Sequence, residues 1–346
     1  MNKSATALGA IFLAVLAAVG FAAPTAAQDG KLMRWQTMAQ SSTDMVFAIA
    51  ATELLREKLG QRAQITTGRP IVRQAIDAAK QDIEFWTTAS SVNHFMRNGS
   101  NMYAKMPEAP ELFKNVRMIL NYPLGAYHIV TWADSGIKDL KDIKGKRVFL
   151  GPPGGAATVT AVQMVESSTG YKANADFTTA NVDWNSGMQA FQDRQVDVYV
   201  SPMAIPDPAI AQLATLGKIR LLTVSDEAFG TETMKKAMTI PGRVIVEIPA
   251  GLYGANLVND KAVRTLQTMV GLGTHKGMDA DVVYNVTKTI LENNAKLKAE
   301  AQWMSVITVE NALAEMNAPL HLGAYRYYKE RGIAVLDELV PPEAKQ

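Results

Sequence analysis

The chain has 346 residues, with 35 Lys and Arg against 33 Asp and Glu, a formal charge of +2 and no cysteine. This near balance argues against a nucleic-acid partner, and the absence of thiols excludes disulfides, thiol catalysis, zinc-thiolate sites and a lipid on an N-terminal cysteine. The length allows one large or two modest domains, each with a real core.

Residues 1–27 read as a secretory leader. Asn2 and Lys3 form a short positive start, Leu8 to Ala23 an apolar segment, and Thr25-Ala26-Ala27 a run of small residues before a cut at Gln28. Cleavage near Ala27 leaves residues 28–346 free in a periplasm with a charge of +1, since Lys3 is the only charge removed.

The next segments alternate strand and helix. Met33-Arg34-Trp35-Gln36-Thr37-Met38 reads as a strand, followed by a polar turn and a helix through Phe47, Ala50 and Leu54 that stops at Gly60. Gln64-Ile65-Thr66-Thr67 is a second strand; Gly68-Arg69 turns, and Pro70 opens a helix with Ile71, Ala75, Ile76 and Ala79 on one face. Asp82 to Thr87 is a third strand, ending in Thr88-Ala89-Ser90-Ser91. Three such units imply an α/β protein with a mainly parallel sheet, whose ligands sit beyond the carboxyl ends of the strands. The Ser and Thr residues at those turns either cap helices or touch a ligand.

Val116 to Leu120 and Tyr127 to Trp132 are extended runs, the second a crossing into another domain. There, Val148-Phe149-Leu150 leads through Gly151-Pro152-Pro153-Gly154-Gly155-Ala156-Ala157 into a helix from Thr158. A glycine-rich turn before a helix presents free amides and a positive dipole end, which favour an anion. It lacks the Lys-Ser/Thr ending and the Gly-x-Gly-x-x-Gly spacing of nucleotide loops. Val196 to Val200 is a strand ending in the turn Ser201-Pro202-Met203, and Ile219 to Val224 is the return crossing. Helical stretches follow at Asp281 to Leu291 and Val309 to Met316.

The chemistry of catalysis is sparse. His94, His128, His275 and His321 are scattered, without partners at metal-ligand spacing, and no Gly-x-Ser-x-Gly elbow occurs. His128 reads as a core or edge residue and His321 as a cap or domain contact. Arg69, in a turn, is the candidate cation for a bidentate carboxylate pair, the alternative being solvent exposure.

The patterns Ser135-Gly136-Ile137-Lys138-Asp139-Leu140-Lys141-Asp142-Ile143-Lys144-Gly145-Lys146-Arg147-Val148, Ile248-Pro249-Ala250-Gly251-Leu252-Tyr253 and Pro319-Leu320-His321-Leu322-Gly323-Ala324-Tyr325-Arg326-Tyr327-Tyr328 resemble the TAXI-type solute-binding proteins of tripartite ATP-independent periplasmic (TRAP) transporters. The resemblance implies a type II-like periplasmic binding protein fold, with two α/β lobes joined by crossing strands. The lobes would close over a small organic anion, such as a dicarboxylate or an amino acid, and deliver it to TRAP membrane permease subunits. The first lobe would hold residues 28–131 and 221–346, and the second 132–220. The family's ligand turns fall on Gln40, Ser41, Ser42, Thr43 and Asp44; on Thr67, Gly68 and Arg69; on Thr88, Ala89 and Ser90; and on Gly154, Gly155, Ala156, Ala157 and Thr158. Ser201 and Tyr253 complete the expected set. The chain departs from the family at these turns, where Thr-Gly-Gly-Ser becomes Thr67-Gly68-Arg69-Pro70 and two hydroxyls are lost around Ala156. The expectation is a monomeric binding protein without cofactor, metal or catalysis. Its alternatives are an exported enzyme using Asp44, Glu53 or His321, and a binding protein that informs a membrane sensor.

Overall fold

The computed structural model describes residues 32–38, 40 and 42–345, so the expected leader and Ser41 lie outside the described residues. Strand β1 (Met33–Gln36) leads to α1 (Thr43–Leu59), which ends where Gly60 adopts φ 66° and returns its amide to Arg56 O. Then come β2 (Ala63–Thr66), α2 (Ile71–Ala79), β3 (Phe85–Ala89), α3 (Ser90–Arg97) and α4 (Ala109–Phe113). Pro70 stands one residue before α2, because its ψ of 136° is extended and not helical.

The two extended runs expected between Val116 and Trp132 are one strand, β4 (Val116–Trp132). Beyond it lie β5 (Arg147–Phe149), α5 (Ala156–Thr169), β6 (Thr178–Thr179), α6 (Trp184–Gln192), β7 (Val198–Met203), α7 (Pro208–Leu216) and β8 (Ile219–Leu221). Next are α8 (Asp226–Gly230), α9 (Glu232–Met238), β9 (Arg243–Ile248), β10 (Val263–His275), α10 (Ala280–Glu292), α11 (Asn294–Glu300) and α12 (Leu322–Glu330). Ser201, expected in a turn, lies inside β7 opposite His128 of β4. The stretch from Val309 to Met316 forms turns instead of a helix. Asn121 anchors it, through its amide to Ala312 O (2.7 Å) and Nδ2 to Ala314 O (3.0 Å), and Glu315 adopts φ 54°.

The sheet runs β2-β1-β3-β10-β4-β7-β5-β6, with β8 on β4 and β9 on β10. β1, β2 and β3 are parallel, as are β5, β6 and β7; β4 and β10 run antiparallel to their neighbours and join the two parallel sets. One core cluster gathers Trp35, Phe47, Phe85, Tyr122, Val270 and Tyr328. Two others, on opposite faces of the remaining sheet, gather Tyr127, Val148, Met164 and Leu266, and Phe149, Phe191, Tyr199 and Ile248. Leu222, Val224, Ala228 and Met234 pack with Val148, and β10 contributes Leu266 to that cluster and Val270 to the first. α8 and α9 lay their buried residues Ala228, Met234 and Ala237 in the same cluster as Met164 and Val165 of α5.

Candidate functional site

At the seam between the cores, Gly242 packs on the start of α3. It adopts φ 81°, and a Cβ on it would lie 2.8 Å from Ser90 Cβ. Its amide donates to Glu315 Oε2 (3.3 Å). The next residue, Arg243, opens β9 and is 5% exposed. Its Nη1 donates to Gln163 Oε1 on α5 (2.9 Å) and to Ala237 O (2.8 Å). Nε and Nη2 donate to no described residue, and no described carboxylate pairs with the guanidinium. Burial pushes the guanidinium pKa down, opposed by Tyr127 nearby. The contrast is with Arg117, 3% exposed, whose charge is matched by a forked pair with Glu343.

Other polar groups converge on Arg243. Thr268 is its direct cross-strand partner in β10, so both side chains stand on the same face; Thr268 Oγ1 is buried without a hydrogen-bond partner. Tyr127 belongs to the core cluster on that face and donates its hydroxyl to Ala157 O in the first turn of α5 (3.1 Å). No side chain caps that helix, so its first amides retain the donor capacity expected of them. Gly151, at φ 105°, sets up the turn; a Cβ there would lie 2.8 Å from the Trp184 ring. A buried, uncompensated guanidinium is costly unless an anion joins it. The arrangement can hold a carboxylate or a similar group.

The expected residues divide into those facing outward and those engaged internally. Arg69 is half-exposed and forks onto Asp77 of α2, with Nη2 2.8 Å from Oδ1, so its charge is already matched. Gln40, Thr67, Gly68 and Gly154 are exposed. Asp44 is fully buried; its Oδ2 accepts from the Met38 amide (2.8 Å) and from the Thr87 hydroxyl (2.7 Å), tying the turn after β1 to β3. Burial pushes the Asp44 carboxyl pKa up, with the Ser42 hydroxyl, the Met38 amide and Thr87 opposing. Thr43 is buried at the start of α1 and Ala89 lies in β3. Thr88 Oγ1 bonds Asn93 Oδ1 (3.1 Å), Ser90 Oγ donates to Glu315 O (2.6 Å), and Thr158 Oγ1 donates to Pro152 O (2.6 Å). Gly155, Ala156 and Ala157 form the opening of α5.

Ser201 is buried, and the Tyr253 hydroxyl donates to His128 Nε2 (2.6 Å) while accepting from the Asp207 amide (3.1 Å). Of the three groups considered for catalysis, Asp44 is bonded through Oδ2 as above, Glu53 pairs with Arg56, and His321 caps α12. Among the described residues no three His, Asp or Glu gather as metal ligands. A reading based on strand-to-helix turns passes over Arg243, because it begins a strand; its only local signal is the Pro241-Gly242 turn before it.

The sheet joins its two parallel sets of strands through the long antiparallel strands β4 and β10. The chain belongs to the NMT1-like family, whose profile matches residues 37–332. Similar solved structures include the periplasmic aliphatic sulphonate binding protein SsuA from Escherichia coli, at 12% identity over 89% of this chain and 90% of that one, TM-score 0.42. A TRAP periplasmic solute binding protein from Shewanella oneidensis, with bound succinate, matches at 9% identity over 80% and 81%, TM-score 0.43. Another from Desulfovibrio desulfuricans, with bound sn-glycerol-3-phosphate, matches at 11% over 91% and 94%, TM-score 0.45. At this distance they identify no ligand for this chain.

Proposed function

We propose that the protein is an extracytoplasmic solute-binding subunit that captures a small organic anion between its lobes and delivers it to a TRAP-type permease. The observation that carries this reading is Arg243, buried at the seam with no carboxylate among the described residues to match it. The anchor moves from Arg69, which Asp77 neutralises, to Arg243, with Thr268 and Tyr127 beside it. Export to the periplasm rests on the leader pattern of residues 1–27, and the TRAP partnership on the resemblance of the Ser135 to Val148 and Pro319 to Tyr328 segments.

The test is a thermal-shift screen of residues 28–346 against carboxylates, amino acids and sulfonates. A ligand at about a hundred times its Kd stabilises the folded state by about 2.7 kcal/mol, raising Tm by several degrees. Arg243→Gln should abolish the shift and Arg69→Ala should preserve it. An acid whose shift survives Arg243→Gln, or a screen without any shift, would overturn the reading.

A further inference from the structure

Far from Arg243, a groove of about 660 Å³ runs between the end of α3, α4, the start of β4, the end of β10 and the C-terminal turn. In β4, Arg117 lies opposite Thr274, and Gly125 lies opposite Thr268, the partner of Arg243. About 26 Å of strand therefore separates the groove from the seam. The floor of the groove is apolar, formed by Pro110, Phe113, Pro319 and Pro342, and a space of this size takes a chain or a ring system.

Four cations line the same groove, Arg97, Lys114, Arg117 and Lys276, against one acid, Glu343. Arg117 and Glu343 neutralise each other through their forked pair, and Lys114 pairs with Glu111 of α4. Arg97 and Lys276 form no ion pair among the described residues. The Arg97 guanidinium donates to Asn317 O and lies 4.9 Å from the Phe113 ring centroid, and Glu338 acts on it only through its field. Lys276 is exposed, while its backbone amide is tied to Asn115 O (2.9 Å). A recess of about 60 Å³ adjoins the groove, sharing Arg117, Lys276 and Glu343 with it. Ala280 and Leu322, the first residues of α10 and α12, also line the recess, so two positive dipole ends meet there; the Asp279 cap offsets part of the first. The recess has room for several waters or one carboxylate head.

We propose that this groove is a second binding site, independent of the anion seat at Arg243, for an amphipathic organic anion of the fatty-acid kind. Its head meets Lys276 at the mouth of the recess, and its apolar body lies along Phe113 and the three prolines towards Arg97. Removing that body from water supplies affinity, and the two unmatched cations select the sign of the head.

Calorimetric titration of residues 28–346 carrying Arg243→Gln, which removes the proposed seat at the seam, reads the groove alone. Dodecanoate should bind with one-to-one stoichiometry. Butyrate, which lacks the body, dodecyltrimethylammonium, which reverses the charge, and hexaglutamate, which has charge without an apolar body, should each bind at least about tenfold more weakly. Combining Lys276→Gln with Arg97→Gln, both at exposed side chains, should weaken dodecanoate by about tenfold, in this background and in wild type alike. The proposal is overturned by absence of dodecanoate binding, by equal binding of the cationic surfactant, by tighter binding of hexaglutamate, or by indifference to the double substitution. A dodecanoate signal present in wild type and lost in Arg243→Gln would assign the ligand to the seam and overturn it too, whereas failure of the seat at Arg243 leaves the groove untouched. Thermal unfolding of each variant confirms that it is folded.

Discussion

His128 is held neutral by its own neighbours. Its Nδ1–H donates to Ala126 O (2.9 Å), which requires Nε2 to be the acceptor, and the Tyr253 hydroxyl donates to it (2.6 Å). Burial pushes its pKa down to about 4. His321 behaves alike: Nε2–H donates to Met278 O, Nδ1 accepts from the Gly323 amide, and burial again lowers the pKa to about 4. For both, the folded pKa lies below the ordinary 6.5. The neutral-form stabilisation is thus fully present above pH 6.5 and is lost as pH falls towards 4. Tm should fall across that window, and His128→Gln should flatten part of the slope. Tyr253→Phe should cost about 1–3 kcal/mol in urea unfolding at neutral pH, since it strands both His128 Nε2 and the Asp207 amide. At this scale the sequence is a fair guide to histidines, because burial in an apolar strand or a helix start is visible in their neighbours.

At the scale of elements, the segment around His321 acquires a physical meaning. His321 caps α12, and Gly323 lets that helix touch α10. A Cβ on Gly323 would lie 2.1 Å from Ala280 O and 2.6 Å from Tyr284 N, both rigid backbone atoms. Gly323→Ala should therefore push α12 off α10 and destabilise the fold by about 1–3 kcal/mol, read as a lower urea midpoint with unchanged slope. A Tm equal to wild type would contradict this packing. The glycine stop of α1 and the amphipathic spacing of α2 were legible from the chain alone. The loop from Val309 to Met316 was not. Its apolar spacing suits a helix, but Asn121, nearly two hundred residues earlier, holds its carbonyls in turns.

For the whole molecule, β4 and β10 contribute to all three core clusters, and the β4 backbone comes close to β7 where the clusters meet. A Cβ on Gly125 would lie 2.0 Å from Met203 O, and the β4–β10 register shifts between Thr268 and Met269. On the solute-binding reading proposed above, the two parts joined by these strands would close by bending at the crossings. Small-angle scattering should show the radius of gyration fall when a carboxylate is added to the wild type. Arg243→Gln should show no fall, since the anion that bridges the seam would be unbound. An unchanged radius in wild type at saturating ligand would argue against closure.

The sequence by itself determined the α/β class, the strand-helix alternation, the glycine turn before α5 and the absence of thiol chemistry, all of which depend on residues close together in the chain. Only the tertiary structure decided which polar groups remain available. Ser90 meets Glu315 at a separation of 225 residues, Gly242 meets Glu315 at 73 and Arg243 meets Gln163 at 80. Even Arg69, matched by Asp77 only 8 residues away, needed the bend between its turn and α2. A hydroxyl or a guanidinium has the same donors in any chain; whether a ligand finds them free depends on which partners folding brings within three ångströms.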